Sequence, residues 1–195
     1  MITVEYIWLD GSVDMPQLRS KTRVFSEKHA LAELPEWSFD GGSTGQGDLE
    51  DSDRKLKPVR LYKNPFNEGN YMVLCEVMNP DGTPHESNMR SLLAEQLEEG
   101  STDMLFGFEQ EYTFVDPMMQ PLVPEDIKQG DFYCGVGAGN VIGRLIADEH
   151  LVNCDKAGIT LFGSNAEVMI SQWEYQTNPE EALKVSDDLW MSRYI

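Results

Sequence analysis

The chain has 195 residues and 22.1 kDa, with 15 Lys and Arg against 34 Asp and Glu, a formal charge of −19 at pH 7. Its 41% hydrophobic and 10% aromatic content suits one large domain or two small ones with a real core, and excludes a disordered acidic tail. So few cations exclude sequence-independent nucleic-acid binding and adhesion to anionic membrane, whereas clustered carboxylates on such a chain suit divalent cations.

The first part is β-rich. Thr3 to Leu9, Ser20 to Phe25, Val59 to Tyr62 and Tyr71 to Val77 carry β-branched and aromatic residues between Asp-Gly, Asn-Pro and Pro-Asp-Gly turns, and predict a small mixed sheet. Lys28 to Leu34 predicts one short helix, and the Gly, Ser and Asp loop from Gly41 to Asp53 is either linker or site. Near Pro84 the pattern changes, placing a boundary between domains 1–84 and 85–195: Asn88 to Glu99 predicts a helix and Leu105 to Val115 a strand. Asn140 to Lys156 carries Ile142, Leu145, Ile146 and Leu151 at helical spacing with Gly158 as C-terminal cap, and a strand from Ile159 to Phe162 follows.

Asn178-Pro179-Glu180-Glu181 reads as a helix start, with a capping Asn and Pro at the first helical position. That helix reaches Tyr194 and Ile195 without a stop signal, which reads as truncation of a longer domain; the alternative is a terminal helix docked in an apolar groove. Cys75, Cys134 and Cys154 are odd in number and lack metal-binding spacing. With no basic leader and no run of about 18 apolar residues, they suit a reducing, cytoplasmic setting rather than secretion or membrane insertion.

Strand alternation in Phe108 to Phe114 sends Phe108, Tyr112 and Phe114 to one face and Glu109 and Glu111 to the other. Adjacent carboxylates repel and raise one another's pKa, so a divalent cation is one reading and a solvated acidic face the other. Glu167 and Glu174 form a second pair in an apolar, amide-rich segment, with Trp173 and Tyr175 facing away from Glu174. Lone acids in such a setting are costly to bury, whereas carboxylates converging from separate strands make an oxygen-ligand site for Mg²⁺ or Mn²⁺, ions that serve phosphoryl chemistry. Gly135 to Gly143 imitates a dinucleotide loop, but Asn140 occupies the last glycine position of the motif, so a tight turn is expected there. His29, His85 and His150 are scattered and receive no role.

Six blocks resemble the eukaryotic-like (type II) glutamine synthetase family, in the family's order. They are residues 5–11 (EYIWLDG), 34–44 (LPEWSFDGGST), 106–112 (FGFEQEY), 133–137 (YCGVG), 165–168 with 172–176 (NAEV, QWEYQ) and 189–194 (LWMSRY). The resemblance implies an α+β protein: an N-terminal β-grasp domain, then the first part of a catalytic α/β domain whose sheet is partly barrel-like. It implies ATP-dependent ligation of ammonia to L-glutamate through a γ-glutamyl phosphate, giving glutamine, ADP and phosphate.

Carried over by position, Glu111, Glu167 and Glu174 resemble ligands of a first metal, and Glu109 a ligand of a second, ATP-associated one. Asp40 resembles the residue that binds and helps deprotonate ammonium, with Ser43 and Tyr133 nearby. Glu174, Tyr175, Gln176, Thr177, Asn178 and Pro179 resemble a nucleotide-contacting segment. The family assembles as homo-oligomers of two stacked pentameric rings with sites between subunits.

Family chains continue past residue 194 and there carry arginines, a flap glutamate and further metal ligands, so the 195-residue chain alone is expected to be inactive. A noncatalytic protein that co-assembles with full-length subunits is the alternative. Ile170-Ser171, Thr177-Asn178 and Leu105 depart from the family pattern in a way that implies weaker nucleotide binding.

Overall fold

The computed structural model describes residues 1–48, 50–100, 103–123 and 126–195; Leu49, inside the Gly41 to Asp53 loop, lies outside them. Two compact units, essentially Met1–Asp103 and Met104–Arg193, make up the chain. Both mix strands and helices, as expected of an α+β protein.

The first unit holds β1 (Ile2–Leu9), β2 (Leu18–Phe25), β3 (Trp37–Asp40), β4 (Asp53–Lys63), β5 (Tyr71–Met78) and α1 (Met89–Glu99). Its mixed sheet has the order β2-β1-β5-β4-β3, with β1 and β5 parallel and all other pairs antiparallel. Alternation puts Val4, Tyr6 and Trp8 of β1 and Val73, Cys75 and Val77 of β5 into one core with Leu34, Phe39 and Leu56. Pro58 sits in β4 beyond the stretch paired with β3, at an irregularity in the β5 ladder, where its missing N–H costs no sheet bond. The β1–β2 turn is organised by buried Asp10, whose carboxylate accepts from Ser12 N, Gln17 N and Arg19 Nε and Nη2 at 2.9–3.1 Å. Asn88 caps α1 through Ser91 N, and Asn88 and Arg90 reach back to Val77 and Glu76 of β5. The division between units accordingly falls after α1, later than the change of pattern at Pro84.

The helix expected over Lys28 to Leu34 is only a 3-10 turn, Leu31–Glu33. Pro35 is the reason, because it drives Leu34 into an extended conformation, ψ 122°, and leaves room for one turn.

The second unit contains β6 (Glu109–Thr113), α2 (Arg144–Ala157), β7 (Leu161–Ala166), β8 (Gln172–Thr177) and α3 (Ala182–Tyr194). Its sheet is antiparallel in the order β6-β8-β7. β6 is shorter than expected, and β7 begins two residues late and runs further. The expected start of α2 at Asn140 is corrected to Arg144: Asn140 N and Val141 N both close on Gly137 O, and Gly143, at φ 81°, turns the chain into the helix. That turn is the one expected in place of a dinucleotide loop. Gly158 caps the C-terminus in the left-handed conformation, as expected.

The buried face of α2 is Ala147, Asn153, Cys154 and Ala157, whereas Leu145 is 83% exposed and Ile146 is also exposed. Small side chains let this helix lie close on β7, so Leu145 and Ile146 point outward, and of the expected stripe only Ile142, which packs against the core, and Leu151 are half-buried. The start expected at Asn178 is corrected too. Phe106 and Glu180 exchange backbone bonds, and Asn178 N is held by Thr160 O, so 178–180 is extended and α3 begins at Ala182.

Candidate metal centre

Three adjacent strands bring the second unit's acids together. Glu174 sits on central β8, directly opposite Glu111 of β6 on one side and Asn165 of β7 on the other. Glu167 follows β7 immediately, in the turn closed by Glu167 N to Gln172 O at 2.8 Å. Alternation along β8 turns Gln172, Glu174 and Gln176 one way and Trp173 and Tyr175 the other, as expected. Trp173 enters the core with Phe132, Val141, Ala147 and Ala166, its Nε1 donating to Ile142 O at 2.8 Å, and the Tyr175 hydroxyl bonds Ser192 Oγ at 2.8 Å. These anchors fix the strand's rotation and hence the direction of Glu174.

Carboxylate oxygens of Glu111, Glu167 and Glu174 lie within 4.8 Å of one another. Each acid has its own carboxamide donor. Gln172 Nε2 donates to Glu111 Oε2 at 3.0 Å, Asn165 Nδ2 to Glu167 Oε1 at 2.8 Å, and Gln176 Nε2 to Glu174 Oε1. Gln176 Nε2 also donates to Asn165 Oδ1 at 2.9 Å, and Val168 N holds the second oxygen of Glu167 at 3.1 Å. Neutral amides orient the acids without cancelling their charge. At that spacing each like-charge pair costs roughly 3 kcal/mol near a protein surface. Glu174 registers the strain: burial above all, then its bond to Glu167 and the charges of Glu109 and Glu167, push its carboxyl pKa up, against the pull of Gln176. An all-oxygen set of three oriented carboxylates fits a hard divalent ion.

Glu109 shares the acidic face and stands opposite Gln176, but its carboxylate is not part of the three-acid cluster. Tyr133 is exposed; Cys134 foremost, then the charges of Glu167 and Glu174, raise its phenol pKa, so its hydroxyl lies within the cluster's field. In the segment 175–179, only Gln176 turns to the acids. Tyr175 faces the core, Thr177 Oγ1 accepts from Phe108 N at 2.8 Å, Asn178 Nδ2 donates to Glu180 Oε1 at 3.3 Å, and Pro179 lies beside Gly107.

In the first unit, exposed Asp40 ends β3 and caps the 3-10 turn Gly41–Thr44. Its carboxylate accepts from Ser43 Oγ at 2.6 Å and Gly42 N at 3.1 Å. The Ser43 hydroxyl is the main cause holding the Asp40 carboxyl below the usual carboxylate range. Sequence reasoning missed Asn165 and Gln172 as orienting groups and saw Gln176 only as part of a nucleotide segment. The available signal was amides two residues from Glu167 (Asn165) and from Glu174 (Gln172 and Gln176); the donor of Glu111 comes from the neighbouring strand and carried none.

The profile of the family described as "Glutamine synthetase, beta-Grasp domain" matches residues 1–80. Over 98% of its length the chain is 47% identical to a protein named glutamine synthetase from Streptomyces viridochromogenes, of which it covers 57%. It is 45% identical to one from Kluyveromyces lactis, over 99% of this chain and 53% of the relative. It is 41% identical to a chloroplastic one from Chlamydomonas reinhardtii, over 100% and 56%. The chain thus spans little more than half the length of the curated relatives it matches. Among the described residues no helix is long and apolar enough to cross a membrane.

Proposed function

The chain belongs to the glutamine synthetase family, and from that premise we propose that it carries part of the site of an ATP-dependent ligase joining ammonia to L-glutamate through a γ-glutamyl phosphate. The observation that carries this reading is the convergence of Glu111, Glu167 and Glu174. Those three residues would hold Mg²⁺ or Mn²⁺, with Glu109 serving a second, nucleotide-associated ion. A divalent ion in such a site neutralises phosphate charge as phosphoryl transfer proceeds.

The chain's own residues do the positioning. Gln172, Asn165 and Gln176 keep the three acids aimed at one point, so little reorganisation is needed when a cation and an anionic substrate arrive. Asp40, kept ionised by Ser43 and Gly42, supplies a fixed negative charge and an acceptor for ammonium, and Tyr133, whose phenol feels the charges of Glu167 and Glu174, would add a hydroxyl to the site. The segment 174–179 would contact the nucleotide. A cytoplasmic homo-oligomer of two stacked pentameric rings, with residues 1–84 as β-grasp and 85–195 as catalytic portion, belongs to the same proposal.

The test is glutamate-, ammonium- and ATP-dependent phosphate release by the native gene product, with its intact mass measured. Turnover that Glu167→Gln abolishes is expected, and a gene product without turnover overturns the reading. The 195 residues assayed alone are expected to take up Mn²⁺ without turnover.

A further inference from the structure

The loop that begins at Asp40 is fastened from inside by one residue. Gln46 is 1% exposed, and both ends of its amide are engaged. Nε2 donates to Leu9 O, at the end of β1, at 3.0 Å and to Ser87 Oγ at 2.8 Å, while Oε1 accepts from Thr44 Oγ1 at 2.9 Å. Its backbone N–H donates to Gly41 O at 2.8 Å, the carbonyl that Thr44 Oγ1 also approaches at 3.2 Å, and Gly41 N donates to Ser52 O at 2.6 Å. Gly41, next to Asp40, therefore has both backbone groups held. The loop also rests directly on the end of β1: Gly11 N donates to Thr44 O at 2.8 Å, and a Cβ on Gly11 would come within 2.2 Å of Gly45 O.

Asp40 is exposed, so packing does not set its direction. The carboxylate accepts from Gly42 N and Ser43 Oγ, both in this turn, and Ser52, whose carbonyl holds Gly41 N, adds a weaker hydrogen bond from beside it. The carboxylate is oriented mainly by the turn, and the turn is tied to the body of the unit through Gln46.

We propose that Gln46 is a positioning residue for Asp40, its buried amide locking the turn Gly41–Thr44 to β1 and Ser87 so that the Asp40 carboxylate presents one orientation to an ammonium-sized cation. This rests on the role proposed above for Asp40 and deepens it. A glutamine that merely filled the interior would affect stability alone, whereas a positioning residue controls the rotamer and the donors of a surface acid six residues away without touching the ligand itself.

NMR on the isotope-labelled chain tests the idea without ligand or turnover, reading the χ1 couplings and the carboxyl titration of Asp40. Gln46→Met removes the amide at similar length, and Thr44→Val removes the hydroxyl that joins that amide and Gly41 O within the turn, leaving the amide's bonds to Leu9 O and Ser87 Oγ in place. In each, Asp40 is expected to average over rotamers and its carboxyl pKa to rise toward the ordinary value as Ser43 and Gly42 disperse. Asp81, lowered by Thr83 in a separate turn, should titrate unchanged, and Thr44→Ser should restore Asp40. If Gln46→Met does not fold, Thr44→Val decides alone. Unchanged Asp40 couplings and titration in folded Thr44→Val overturn the proposal, as does a parallel shift of Asp81, which signals general loosening. Failure of the ligase reading is separate: it appears as missing turnover of the native gene product and leaves the Asp40 couplings intact.

Discussion

Glu111 and Glu174 stand directly opposite each other across the β6–β8 ladder. Like charges at opposed positions of a sheet are destabilising. Here a third acid, Glu167, joins them instead of a lysine or arginine, and each acid is held by an amide. Such an arrangement suits a divalent cation.

Replacing Glu167 by Gln keeps its shape and bond to Asn165 while removing one negative ligand. Mn²⁺ affinity, measured by titration with electron paramagnetic detection of free ion, is expected to fall at least about tenfold, or ~1.4 kcal/mol. Undiminished uptake by a folded variant refutes the site.

Asn165→Ala leaves all three acids in place but removes the donor of Glu167 and the acceptor of Gln176. Loss of groups that orient metal ligands typically costs about 10- to 100-fold in affinity. The same titration should show that range, and unchanged affinity in a folded variant would refute the orienting role of Asn165.

Asp10 gives the first unit a pH dependence. Burial pushes its carboxyl up, but the N–H groups of Gln17 and Ser12 and the Arg19 guanidinium outweigh this and bring it below its ordinary 3.8. A depressed folded-state pKa stabilises at pH above the unfolded value, and that stability fades as pH falls from about 3.8 through the lower folded value. Asp10→Asn is expected to lose about 2 kcal/mol at pH 7, from charge-assisted bonds weakened at a buried site, and much less near pH 2. Chemical denaturation at both pH values checks this, and equal losses would contradict it.

Gly143 and Gly158 flank α2, both in the left-handed region. A Cβ at Gly143 would come within 2.1 Å of the Phe114 ring, whereas at Gly158 nothing lies within 4 Å. Gly158→Ala should cost about 1 kcal/mol, the conformational penalty alone, and Gly143→Ala about 2 to 4 kcal/mol with overpacking added. Thermal melts of the two variants should separate clearly.

β1, β2 and β5 were legible because alternation and the intervening turn residues agree locally, whereas β3 and the start of β4, which pair with each other across the Gly41 to Asp53 loop, were not. The burial cost of Glu167 and Glu174 among Trp, Tyr, Val and Ile was legible and pointed to converging carboxylates, but the choice of Glu111 as the third acid came from the family resemblance. What escaped was decided by distant partners. Phe106 claims the backbone of Glu180 and defeats a good local helix start, and the small face of α2 is preferred over Leu145 and Ile146 because of the helix's approach to β7. Gln46 carried no periodic signal, since its partners Leu9 and Ser87 lie far away in sequence.

The parallel pairing of β1 with β5 sets an order of events during synthesis. β1 and β2 can close as a hairpin early, but the other edge of β1 finds its partner, and its face bearing Val4, Tyr6 and Trp8 its core, only when residues 71–77 have left the ribosome. Until then an apolar strand with unpaired backbone groups stays open to foreign edges. Slow translation through residues 26–70 would lengthen that exposure, so yield of soluble protein should depend on elongation rate across this stretch more than across the rest of the gene.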